Sequence, residues 1–117
     1  MSRLVFLNAL PLNAFPIEEG EEVLFKVVKE PLYSVKMLVK DWARAGIPIE
    51  CYIRHPTTVE LLNNLLNLNL KPSSELYSYR EGDKIIVITL KKPVRGKEVE
   101  VGSEDIEFYI ITVEKEG

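Results

Sequence analysis

Two stretches of this 117-residue chain place apolar residues at helical spacing, and each needs a surface to cover. Leu32, Val35, Val39 and Trp42 form the first stripe, and Leu61, Leu62, Leu65 and Leu66 the second. Residues three and four apart share one face of a helix, so both stripes predict amphipathic helices with a buried side. Trp42 is thereby read as core. The remaining apolar runs supply a sheet. Residues 4–7, Leu-Val-Phe-Leu, suit a strand buried on both faces, residues 22–28 a second, and residues 49–53 a third.

Local signals punctuate these elements. Pro31 stands where the first helix begins, since its missing N–H costs nothing there, and Gly46 ends that helix. Thr57-Thr58-Val59-Glu60 fits a capping box, and the second helix is expected to run to about Asn69. Residues 75–79 and 84–90 read as two strands joined as a hairpin through Arg80-Glu81-Gly82-Asp83. A basic loop follows at residues 91–97. Residues 106–113 form the last strand, and residues 114–117 a frayed tail. This order predicts an α/β fold, a single mixed sheet of about five or six strands with two main helices, in one domain spanning residues 1–117.

A hydrophobic share of 46% suffices for a core without covalent staples, and the single cysteine, Cys51, excludes an intrachain disulfide. Cys51 lies in a strand-like apolar run and is read as packing. The net charge of -3 argues against a protein that coats long nucleic acid, since such binders owe most of their affinity to a basic surface. A small anionic ligand held by a few local cations is compatible with it. No eighteen apolar residues run together, and the apolar start is too short for a secretory signal, so a protein of the cytoplasm with no membrane contact is expected.

The chemistry concentrates near the only histidine, His55, in Cys51-Tyr52-Ile53-Arg54-His55-Pro56-Thr57-Thr58. Imidazole is the side chain suited to proton transfer near neutral pH, and a helix start offers unpaired N–H groups that attract phosphate. A structural reading competes, because a histidine at such a place also serves as a cap or a packed residue. One histidine and one cysteine without a carboxylate cluster predict no metal site, and the scattered glycines match no nucleotide-binding fingerprint. Cys51 and His55 are separated by about 13 Å along an extended chain, too far for a nucleophile pair. What remains is His55, the asparagines of residues 8–13, and the cations Lys91, Lys92, Arg95 and Lys97. Neighbouring strand ends bring such groups together at one edge of an open α/β sheet.

Three segments carry a resemblance: Leu7-Asn8-Ala9-Leu10-Pro11-Leu12-Asn13, Arg54-His55-Pro56-Thr57-Thr58-Val59-Glu60-Leu61-Leu62, and the stretch from Gly82 to Gly96. In these the chain resembles the small viral ring nucleases of hyperthermophilic archaea, type III anti-CRISPR proteins that degrade cyclic tetra-adenylate. The resemblance implies that His55 is a general acid, protonating the leaving 5′ oxygen while the ribose 2′ hydroxyl attacks phosphorus. It implies no metal and no cofactor, because the nucleophile belongs to the RNA. It further implies a two-fold homodimer closing over a ligand with its own two-fold axis. Asn8, Leu10, Pro11, Asn13, Arg54, Thr57, Thr58 and Lys92 fall at or beside ligand positions, and Arg95 falls at a catalytic one. There are departures. Pro11 replaces a serine, Arg54 replaces a glycine, and Arg95 stands where the family has a glutamate. Three readings follow: a nuclease that cleaves, a protein that sequesters a cyclic nucleotide without cleaving it, and a protein-interaction module built on the same fold.

Overall fold

The computed structural model describes residues 2–91 and 105–116. Strand β1, Arg3–Leu7, is buried at all five positions and lies inside a five-stranded sheet of order β2-β5-β4-β1-β3. β3, Ile49–Cys51, and β4, Asp83–Leu90, flank β1, and both run parallel to it. Residues 3–7 pair with residues 83–87 in unbroken register. β5, Ile106–Glu116, is antiparallel to β4, and β2, Val23–Glu30, is antiparallel to β5 at the edge. The sheet is therefore mixed, with two helices beside it, as expected.

The period of two along β1 sorts its side chains between two cores. Leu4 and Phe6 enter the helix side with Ile86, Ile88, Ile106 and Phe108. Helix α1, Leu32–Arg44, contributes Val35 and Val39 to this core, with Trp42 partly buried beside them. Helix α2, Pro56–Leu66, contributes Val59, Leu62 and Leu66. Cys51 also packs on this side, and burial pushes its thiol pKa upward. Val5 and Leu7 enter the opposite core with Ile85, Val87 and Ile111. That side is closed by loop residues Ala14 and Phe15 and by Tyr77.

Four expectations require correction. Residues 75–79 are not a strand and no hairpin joins them to β4; the segment is extended cover, with Tyr77 buried against the sheet and the N–H of Tyr79 donating to the Ala14 carbonyl at 2.9 Å. The turn at residues 80–83 is real, with Gly82 at φ 93° and the Asp83 N–H bonded to the Arg80 carbonyl. The capping box does not form, because the cap residue of α2 is His55 with Pro56 behind it, which leaves Thr57 and Thr58 inside the first turn. α2 also stops at Leu66, where Asn67 adopts a left-handed cap at φ 56° and Asn63 closes the end through two hydrogen bonds with Leu70. Finally, the tail is not frayed before residue 117: β5 runs on to Glu116, held by pairing with Val23.

Candidate functional site at the carboxyl ends of β1 and β3

β1 and β3 are parallel neighbours, so the chain leaves both at the same edge of the sheet. From β1 it enters Asn8 and a loop with a single 3₁₀ turn at Leu12–Ala14; from β3 it passes through Tyr52 and Ile53 to Arg54 and His55. The third wall is the extended segment 73–78, tied in place by the Ser73 N–H donating to the Ile53 carbonyl at 2.9 Å. Together they enclose a cavity of about 430 Å³.

Asn8, Pro11, Asn13, Arg54 and His55 all line this cavity. Residues 40 and more apart in sequence thus converge as the parallel strand ends require. Leu10 is not part of the lining; it packs, partly buried, on the loop-side core. Thr57 and Thr58 lie in the first turn of α2, outside the lining. Lys92 and Arg95, with most of the basic loop at residues 91–97, lie outside the described residues. α2 has no side-chain cap and no acidic residue in its first turn, so its positive end is not neutralised from within the helix. Among the described residues, no three His, Cys, Asp or Glu side chains converge as a metal site requires.

Beneath the cavity sits a cluster that sequence reasoning missed. Arg3, 5% exposed, donates from Nε and Nη2 to the two oxygens of Asp83 at 2.7 and 3.0 Å. Its remaining donors reach the Glu50 carboxylate at 2.6 Å, the Tyr52 hydroxyl at 2.9 Å and the Ser78 carbonyl at 2.8 Å. The guanidinium is thus fully satisfied. Tyr77 donates its hydroxyl to Asp83 at 2.5 Å, and the Arg80 N–H adds a bond at 3.0 Å. Burial alone would raise the Asp83 carboxyl pKa, but the bonds from Arg3, Tyr77 and Arg80 outweigh it and hold it below the usual carboxylate range. Burial, followed by the bond to Asp83, pushes the Tyr77 phenol well above its ordinary value. Tyr52 and Tyr77 meet edge to face, centroids 5.4 Å apart, and both also line the cavity. The period-two pattern held the only signal for this cluster: Arg3 and Asp83 occupy odd positions, on the same face as Val5, Leu7 and Ile85.

The same architecture occurs in B116 of Sulfolobus turreted icosahedral virus, with a TM-score of 0.74 over 93% of this chain and 97% of that one, at 18% identity. No curated protein matches the chain. A family model described as STIV B116-like matches residues 4–113, a span that contains both helices and every residue lining the cavity, and the chain belongs to that family.

Proposed function

We propose that the cavity binds cyclic tetra-adenylate and cleaves it without a metal, countering type III CRISPR immunity. One observation supports this above the others: His55, Arg54, Asn8 and Asn13 line one cavity beside the uncapped start of α2. Arg54 and the helix N–H groups suit a phosphodiester, and asparagines suit ribose and base edges. In this reading His55 gives its proton to the departing 5′ oxygen, and Lys92 and Arg95 stabilise charge on the phosphorane.

A homodimer belongs to the proposal. A four-nucleotide ring exceeds what a cavity near the lower end of the ordinary ligand range of about 300–1,000 Å³ encloses, so a second copy is required to complete the enclosure. Leu76 on the cavity wall is 85% exposed and Leu12, between two lining residues, 71%, which leaves apolar side chains at the mouth for that copy to cover.

Pro11 favours a second reading. It occupies the cavity wall with neither hydroxyl nor N–H, and a site so altered suits capture of the cyclic nucleotide without cleavage. Incubation with radiolabelled cyclic tetra-adenylate in chelator, read by gel shift and product gel, separates the readings. Shift with linear product supports the nuclease, shift with intact ring supports sequestration, and neither supports an interaction module. General acid catalysis is worth about 10²- to 10⁴-fold, so His55→Ala should slow single-turnover cleavage by that factor while the shift persists. An unchanged rate would falsify the role of His55.

A further inference from the structure

Cleavage by a ribose hydroxyl needs a proton acceptor as well as a donor, and the sequence places Arg95 where the resembling nucleases carry their acid. The cavity wall holds another. Glu75 lines the same cavity as His55 and is the one carboxylate among its described lining residues.

Its position is built rather than incidental. The Glu75 N–H donates to the Ser73 hydroxyl at 3.1 Å, and the Ser73 N–H donates to the carbonyl of Ile53, two residues before His55. These two bonds couple the backbone bearing Glu75 to the backbone bearing His55. The other titratable groups facing the cavity are committed or unsuited. Tyr77 gives its hydroxyl hydrogen to Asp83, the Tyr52 hydroxyl accepts from Arg3, and Arg54 is a permanent cation. Asp83 is buried in its pair with Arg3.

We propose that Glu75 is the general base partnering His55, an inference that rests on the nuclease reading above. The Glu75 carboxylate accepts the proton of a ribose 2′ hydroxyl as that oxygen bonds to the adjacent phosphorus. The bond from phosphorus to the 5′ oxygen breaks, and protonated His55 donates its proton to the departing oxygen. The products are a 2′,3′-cyclic phosphate and a 5′ hydroxyl. No water, metal or oxidant enters the balance. A negative side chain in an anion site weakens ground-state binding, so Glu75 acts on the rate rather than on capture.

The test is single-turnover cleavage of cyclic tetra-adenylate by the full-length protein in chelator, with binding read separately by gel shift. Glu75→Gln should lower the rate about 10²- to 10⁴-fold and bind the ring at least as tightly as the unmodified protein. Glu75→Asp should recover part of the rate, and Glu19→Gln, an exposed carboxylate away from the cavity, should change neither quantity. If the unmodified protein cleaves and Glu75→Gln cleaves equally fast, the base assignment fails while the nuclease reading stands. If the unmodified protein leaves the ring whole, both fail.

Discussion

Asp83→Ala is expected to lower the unfolding free energy by about 3 kcal/mol, an amount that distinguishes a buried ion pair from a surface one. Breaking a buried pair by removing one partner costs about 3–5 kcal/mol, because a charge stays behind in a poor solvent. Here the charge left behind is Arg3, 5% exposed, together with the Tyr77 hydroxyl and the Arg80 N–H, which lose their acceptor. Glu50 remains 2.6 Å from the guanidinium and offsets part of the loss, which places the figure at the lower end. The assay is urea unfolding at pH 7 followed by circular dichroism, with Glu50→Gln as the comparison. The Glu50 side chain is 41% exposed, so its removal should cost under about 1 kcal/mol. On a domain of this size, about 3 kcal/mol corresponds to a fall of roughly 10–15 °C in Tm. Equal losses for the two variants, or a loss below about 1 kcal/mol for Asp83→Ala, would refute the reasoning. The pH dependence follows with a definite sign. The folded carboxyl has the lower pKa, so its contribution is complete above the unfolded value near 4 and fades as pH falls through the folded one. Asp83→Ala should therefore flatten the acid limb of the stability profile.

Other outcomes are expected from separate features. Pro11→Ser places a hydroxyl and an N–H in the cavity wall at the cap position of the 3₁₀ turn, and should raise cleavage of cyclic tetra-adenylate in the same single-turnover assay; an unchanged rate would show that the wall residue is not limiting. Asn67→Ala forces a left-handed backbone on a residue that resists it and should cost about 1–2 kcal/mol in urea, whereas Asn67→Gly should be close to neutral. Cys51, with its thiol pKa raised by burial, should alkylate slowly at pH 8 in the folded protein and rapidly in urea; equal rates would contradict its packing in the helix-side core.

The helices and the central strand were legible because their signals are local. Stripes at Leu32 to Trp42 and Leu61 to Leu66 require one buried face each, and the run at residues 4–7 permits little but a central strand. The meeting of Asn8, Asn13 and His55 was expected only from the general tendency of open α/β sheets to gather groups at neighbouring strand ends, and it depends on β1 and β3 being parallel. The misread segment at residues 75–79 shows the limit. Alternating Tyr77 and Tyr79 satisfy a period of two equally well when they pair in a sheet and when they lie over one, and the deciding contacts, to Asp83 and Ala14, come from elsewhere in the chain. Thr57-Thr58-Val59-Glu60 failed as a capping box because Pro56 can occupy the first helical position, which moves the cap back to His55. The Arg3 cluster was hidden by distance: an arginine beside the amino terminus reads as a solvated charge until a strand 80 residues later is laid against it.

That separation bears on how the protein is made. β1 leaves the ribosome long before β4 exists, and a parallel neighbour so distant in sequence is slow to find. A nascent chain ending near residue 80 already has the Asn8 loop, His55 and the Tyr77 segment. It lacks Asp83, which anchors the Tyr77 hydroxyl and the Arg3 guanidinium, and the strand that shields Val5 and Leu7 on one side. The cavity therefore appears only once β4 has been made, and truncations ahead of β4 should yield aggregating chains rather than weakened binders.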